Sequence, residues 1–434
     1  MMKRRDFLKS MALAGASASV TGGMGMIPAL FTPGTAHAAG RNKLVFISDL
    51  HMNVDGPYSW LVKHAKDLGQ FLNTVNARDD VAELVILGDM LDDWVSPVAN
   101  TPQTFADVLE ASNNAAVVAS LRAVCDNPNI AVTYVTGNHD MLSFESQNQQ
   151  VIADAFPGMS ILSDSPGLGA YTKDNVIWAE HGHRYTLFNA PDTWSRSAGH
   201  LSLGYFISRL AASKSVSSGQ VVTTPDVLDR FVKSPSLVNT YLRQGGYEEV
   251  GSVIDDALIV AVFNAISLWS GNWPWNTFDM DGLDNFAGNP SVEDIAFTYD
   301  TIFSGWPSRQ DVVDHYEAVW NDLGSLNSPA NLLFEMPERI KDLYPFTPRI
   351  VLFGHTHQAA FQYHHSGEAE TIYANTGTWI DGKPMTWVEI EINDGGSGQR
   401  NYTVSLWFYG DSSPKYSGSV IVQFNKGSYM IRHR

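Results

Sequence analysis

The 434-residue chain has a single cysteine, Cys125. That excludes an intrachain disulfide framework, a thiolate-rich zinc or iron–sulfur site, and a lipid-bearing N-terminal cysteine. Positive charge is also scarce: 28 Lys and Arg stand against 46 Asp and Glu, a net charge of −18. Residues 1–38 hold Lys3, Arg4, Arg5 and Lys9 against Asp6, which leaves −21 on the remainder. A body that acidic repels polyphosphate backbones, so no nucleic-acid partner is expected. Beyond residue 38 no apolar run reaches the about 18–20 residues needed to cross a bilayer, so no stable membrane span is expected in the mature chain. With 44% hydrophobic residues, the chain is apolar enough for a sizeable core.

Residues 1–38 read as an address rather than as structure. Lys3-Arg4-Arg5-Asp6-Phe7-Leu8-Lys9 precedes an uncharged, Gly-, Ala- and Ser-rich stretch, and Ala36-His37-Ala38 offers a peptidase small residues. The Arg-Arg-x-Phe-Leu-Lys pattern at positions 4–9 resembles a twin-arginine (Tat) signal. The resemblance implies a bacterial protein passed folded through the Tat translocase, then soluble in the periplasm or secreted.

The body begins with an α/β pattern. Lys43 to Ser48, Leu84 to Leu87, Ala131 to Val135 and Asn175 to Ala179 are β-branched, strand-like runs, and Tyr58 to Val75 and Thr104 to Val124 show helical spacing between them. From about residue 185 to 345 the pattern turns helical, including the apolar Ala257 to Trp269 and an amphipathic Arg309 to Leu323 behind Ser308. Strands resume at Arg349 to Phe353. Period-2 runs around Val388, Val404 and Val420 are then expected as antiparallel strands of a second sheet. The expected organisation is a catalytic domain of residues 39–184 and 346–434, interrupted by a helical insertion or cap at 185–345.

Five polar blocks follow strand candidates: Asp49-Leu50-His51, Gly88-Asp89 with Asp92, Gly137-Asn138-His139-Asp140, His181-Gly182-His183 and Gly354-His355-Thr356-His357. Ligands bind at the carboxyl ends of strands in open α/β sheets, so the five blocks can converge. Carboxylate and imidazole without thiolate suit Mn, Fe or Zn ions. In Asp-x-His and His-x-His, side chains two apart on extended chain point to the same side, so both can reach one ion. Glycines beside them allow sharp turns after the strands.

Together, in this order, the blocks resemble the calcineurin-like metallophosphoesterase superfamily, over residues 43–184 and 349–380. The resemblance implies a four-layer αββα sandwich, two mixed sheets flanked by helices, holding two divalent or trivalent metal ions. It assigns Asp49, His51 and His357 to one metal, Asn138, His181 and His355 to the other, and Asp89 as the bridge. It makes His139 the proton donor to the leaving group, Asp140 the holder of its imidazole, and metal-activated hydroxide the attacking group. His183 reads equally as a substrate contact or as a histidine bonded to a backbone carbonyl. Asp92 and Asp93 could assist the site by bonding its ligands from behind, but at a strand-to-helix turn they read rather as caps.

The expected activity is hydrolysis of a small phosphorylated substrate. A general acid matters most for a poor leaving group, which favours an alkyl phosphodiester; a phosphomonoester or a pyrophosphate suits the same residues. A different class, an inert surface-binding protein on this fold, should carry a broken ligand set, and none of the seven ligand positions is broken.

Overall fold

The structure, a computed structural model, describes residues 40–164, 167–186, 188–191, 201–232, 234–246, 256–280, 288–298, 348–366 and 369–424. The twin-arginine segment and the helix expected at Arg309 to Leu323 lie outside them.

Strands β1 (Lys43–Ile47), β2 (Val81–Leu87), β3 (Ala131–Val135) and β4 (Ser160–Leu162) run parallel to one another. Their side chains alternate between two cores, as period-2 geometry requires. Val45, Ile47, Leu84 and Ile86 face helices α1 (Ala65–Ala77), α2 (Phe105–Glu110), α3 (Ala115–Cys125) and α4 (Ser146–Ala155). Leu44, Phe46, Val85 and Leu87 face the other way, onto a second sheet. Helix α1 answers with Leu68, Phe71, Leu72 and Val75 on one face. Its start is Ala65 rather than Tyr58, after a loop that the Asp381 carboxylate holds through the N–H groups of Lys63 and His64. The long helical stretch expected from Thr104 is broken at Ala111: Thr104 and Asp107 close a capping box on α2, and a fresh helix begins at Ala115.

The second sheet has the order β5 (Tyr171–Lys173), β6 (Ile177–Ala179), β7 (Ile350–Phe353), β9 (Ala369–Asn375), β8 (Ala360–Ser366), with β6, β7 and β9 parallel. The C-terminal antiparallel strands β10 (Thr386–Gly396), β11 (Gln399–Phe408) and β12 (Tyr416–Gln423) do not build this sheet, contrary to expectation. They extend the first one, because β10 pairs with the free edge of β1, Lys43 opposite Glu391 and Phe46 opposite Val388. The result is two mixed sheets with flanking helices, their inner faces joined by Phe46, Val85, Ile177, Leu352, Ile372, Ile390 and Val404.

Between β6 and β7 lie five described helices, α5 (Leu203–Ser218), α6 (Thr224–Val232), α7 (Pro235–Gly245), α8 (Asp256–Ser270) and α9 (Val292–Thr298). No helix among the described residues is long and apolar enough to cross a membrane. Their core takes in Trp94 and Val98 from the loop after β2, and Met141 and Leu142 from the loop after β3. Helix α5 is buried almost all round, including the Arg209 guanidinium. A buried cation needs full hydrogen bonding. Arg209 donates to the carbonyls of Ser96, Pro97, Val98, Asn100 and Asp279 and to the Tyr205 hydroxyl.

Candidate metal centre

The carboxyl ends of β1, β2 and β3 in one sheet and of β6 and β7 in the other carry the five polar blocks, as the parallel pairings place them. The β1–β2 register continues past the strands: Asp49 N donates to Gly88 O at 3.1 Å and His51 N to Asp89 O at 2.9 Å. Across the sheets, His355 N donates to both oxygens of Asp49, at 3.1 and 3.0 Å. From behind, Thr378 Oγ1 donates to Asp49 O at 2.8 Å and Asn375 Nδ2 to Gly354 O at 2.7 Å.

The backbone at these residues is not extended. Asp49, His51, Asp89, His355 and His357 all have positive φ, from 49° to 68°. Asp-x-His and His-x-His therefore aim their side chains by alternating left-handed residues, not by the period of a strand. Such conformations cost on the order of 1–3 kcal/mol each and persist where surrounding structure over-determines them.

Three groups of donor atoms result among the described residues; one is His51, Asp92 and His139, and the other two share Asp89. In the first of these two, Asp49, His51, Asp89 and His357 bring one ligand atom each within 4.8 Å of one another. His51 Nε2 stands 2.9 Å from His357 Nε2 and 3.5 Å from Asp89 Oδ2, and His357 Nε2 stands 3.2 Å from Asp49 Oδ1. In the second, Asp89, His181 and His355 do the same. His181 Nε2 lies 3.1 Å from Asp89 Oδ2 and 3.1 Å from Asn138 Oδ1. Asp89 Oδ2 belongs to both groups, while its Oδ1 accepts from the backbone N–H of His139 at 2.8 Å.

The chemistry of this donor set calls for cations. Burial holds His51 below its ordinary pKa, so the ring is neutral, and its one proton sits on Nδ1, which faces Asp92 Oδ2 at 2.9 Å. Nε2 is then left as a bare lone pair, 2.9 Å from His357 Nε2 and 3.5 Å from Asp89 Oδ2. His181 spends Nδ1 on Leu87 O at 2.7 Å, so its Nε2 faces acceptors alone. Burial disfavours charge on His181, yet the Asp89 and Asp49 carboxylates outweigh it and lift its pKa to about 10. The pocket demands positive charge at that point, as a proton or as a metal, and the donor set fits two metal ions. His355 is the member least committed to this centre: its Nε2 lies 3.1 Å from Thr186 Oγ1 and 3.3 Å from Asn189 Nδ2.

His139 stands beside the first group, ring against ring with His51 at 4.6 Å between centroids. Its Nδ1 is held by Asp92 Oδ1 at 2.9 Å, not by Asp140 as the resemblance implies. Asp140 turns back beneath the loop after β2 and accepts from the N–H groups of Asp89, Met90, Leu91 and Gly137. With its oxygens so used, it shapes the loop that carries Asp89. Asp92, expected as a cap, does accept from Trp94 N and Val95 N, and in addition orients both His51 and His139. Burial opposes its charge, but the neighbouring imidazoles hold its pKa at about 2. Burial likewise opposes an imidazolium at His139, and the Asp92 and Asp89 carboxylates overcome it, raising the pKa to about 9.

His183 is buried, and its Nε2 lies 3.1 Å from Gly167 O, the carbonyl-bonded alternative. His64 Nδ1 lies 3.0 Å from Ile380 O and has no place in the cluster. Two tryptophans have one. Trp60 lies against His51, His139 and His357, at 4.7, 5.4 and 5.9 Å, and Trp94 covers His139 at 4.7 Å. No residue pattern in the sequence marks either of them. Farther along the chain, Phe278 is buried, and the exposed Trp273 and Trp275 stack on each other at 5.4 Å.

The glycines leave no room at the centre. A Cβ on Gly88, at φ +79°, would lie 2.6 Å from the His181 ring, and one on Gly137 would collide with the Asp89 carboxylate and amide. Gly137→Ala is expected to displace Asp89 and lower metal content below that of the parent protein, with a folded far-ultraviolet circular dichroism spectrum retained. Unchanged metal affinity would show that Asp89 is not held where it is needed.

Residues 43–243 match the calcineurin-like phosphoesterase family. The match ends before β7, so the place of His355 and His357 rests on geometry; it also runs through α5 and α6, which the sequence resemblance leaves out. Curated proteins give no match. Among solved structures, a dimetal phosphatase from Danio rerio is similar at 11% identity, covering 88% of this chain and 99% of that one, with a TM-score of 0.34. A predicted phosphoesterase from Streptococcus pneumoniae is similar at 10% identity, covering 89% and 100%, with a TM-score of 0.26. Likenesses that distant add no weight to the donor geometry. The family match, with this donor set, supports a metal-dependent phosphoester hydrolase, the calcineurin-like phosphoesterase domain being matched over residues 43–243.

Proposed function

We propose that this protein is an exported two-metal phosphodiesterase in which His139 protonates the leaving group. The observation that carries this reading is the single oxygen Asp89 Oδ2, shared between a group containing the bare Nε2 of His51 and a group containing Nε2 of His181. Asp49, His51, His357 and Asp89 would hold one ion, and Asn138, His181, His355 and Asp89 the other. Manganese, iron or zinc suits these ligands. Two such ions supply Lewis acidity towards the phosphoryl oxygens and towards the attacking water.

The remaining chemistry belongs to the chain. Asp92 fixes the His139 ring by Nδ1, which leaves Nε2 as the atom that delivers a proton to the departing oxygen. Burial of the centre keeps competing water away from that transfer. A proton donor is most useful to an alkoxide, the leaving group of an alkyl diester. The −21 body gives no basic track for a nucleic acid, so a small exported diester is the substrate class.

Hydrolysis of bis(p-nitrophenyl) phosphate and p-nitrophenyl phosphate by residues 39–434, stripped of metal and reloaded with Mn²⁺, tests the reading. A metal-dependent preference for the diester is expected. Activity on the monoester alone, or on pyrophosphate alone, redirects the assignment to a phosphatase or a pyrophosphatase with the same centre. For export, Arg4→Lys with Arg5→Lys should leave the full-length protein in the cytoplasm; export undiminished by both changes removes the twin-arginine assignment.

A further inference from the structure

We propose that Trp94 is a positioning residue for His139, and that helix α5 sets it in place through Tyr205 and Arg209. The inference rests on His139 as proton donor. Two points of contact orient His139, beside His51 and Trp60, which also lie against its ring at 4.6 and 5.4 Å. Its edge is tied to Asp92 Oδ1, and its face is covered by the Trp94 ring, tilted by 32° at 4.7 Å. Both points lie on one loop, since the same Asp92 Oδ1 accepts from Trp94 N at 3.1 Å and Val95 N at 3.0 Å.

That loop is held from outside the two-sheet body. Tyr205 on α5 meets Trp94 edge-on, 5.9 Å away at 90°. Arg209, one turn further on, donates to the Tyr205 hydroxyl at 2.7 Å and to the carbonyls of Ser96, Pro97, Val98 and Asn100 on the loop itself. Trp94, Tyr205 and Arg209 are all fully buried, so none of these contacts competes with water. The chain of contact therefore runs from helix α5 through an indole to the face of the imidazole. The indole itself lies outside both donor groups that share Asp89, although Asp92 on the same loop also faces His51 Nδ1 at 2.9 Å. A reacting group misplaced by about 1 Å can lose on the order of 10²-fold in rate, so a ring that loses the cover of the Trp94 face is a poorer proton donor.

The test compares Trp94→Leu and Tyr205→Leu with the parent on diphenyl phosphate, a poor leaving group, and bis(p-nitrophenyl) phosphate, a good one. The expected result is a kcat lower by about tenfold or more on diphenyl phosphate and little changed on the nitrophenyl ester. KM and metal content should stay as in the parent. The same substitutions are then made in a His139→Ala background, where they should cost nothing further on either ester. Equal losses on both esters, or a loss that persists without His139, overturns the inference. If His139→Ala itself shows no dependence on leaving group, the proton-donor reading has failed instead, and the two failures are told apart. Should the leucine variants not fold, Trp94→Phe carries the test. It keeps an aromatic face of smaller area, so a smaller loss confined to diphenyl phosphate is expected, and an equal loss on both esters contradicts the role.

Discussion

Asp89→Asn is expected to empty both metal positions at once and abolish metal-dependent turnover. The residue sits at φ 51°, a conformation Asn accepts readily, so the backbone should survive the change. The carboxylate does two jobs that an amide cannot combine. Oδ1 accepts from the His139 backbone N–H, and Oδ2 faces the Nε2 atoms of His51 and His181. An Asn that keeps its oxygen on the His139 N–H must turn its NH₂ into the shared position and replace an acceptor by donors. The loss should exceed the roughly 10–100-fold in metal affinity that removing an outer-shell partner costs. Metal counted per chain by elemental analysis checks it. Loss of one metal with the other retained would make Asp89 a ligand of one ion only.

His139→Ala is expected to separate chemistry from metal binding. The ring belongs to neither shared-oxygen group, and the backbone N–H that holds Asp89 remains in alanine, so two metals should still bind. Hydrolysis of diphenyl phosphate should fall by about 10²–10⁴-fold, the usual worth of a general acid, and that of bis(p-nitrophenyl) phosphate far less. The sign of the pH dependence follows. A general acid works when protonated, so the parent's rate on a poor leaving group must drop as pH rises through the His139 pKa. Burial lowers that pKa and the Asp92 and Asp89 carboxylates raise it to about 9; nearby cations push it down. The alkaline limb should therefore lie at or below about pH 9 in the parent and vanish in His139→Ala. Equal losses on both esters with an unchanged limb would assign His139 another role.

Much of the centre was legible because its residues cluster locally: Asp49 with His51, Asn138 with His139, His355 with His357, each block just past a strand. Parallel strands then carry the blocks to one edge, which is a property of the α/β pattern and not of any single block. What was not legible lies between blocks. Asp140 neighbours His139 in sequence, but its carboxylate is drawn to three backbone N–H groups of Asp89, Met90 and Leu91, on a loop about fifty residues earlier, and to that of nearby Gly137. Asp92 reaches His51 and His139 over 41 and 47 residues, and Trp60 and Trp94 have no periodicity that marks them. The five positive φ angles belong to non-glycine residues, where sequence offers no warning of a left-handed backbone. Sheet membership failed in the same way. The alternation in β10, β11 and β12 announces antiparallel strands, but only the pairing of Lys43 with Glu391 decides which sheet they join.

The most direct test of the two-metal account is a titration of the stripped protein with Mn²⁺, counting metal per chain and following bis(p-nitrophenyl) phosphate hydrolysis in the same samples. Binding should saturate at two ions per chain, with turnover rising as the second position fills. Saturation at one ion, no binding at all, or hydrolysis that proceeds in the stripped protein would contradict a centre built on the shared oxygen of Asp89.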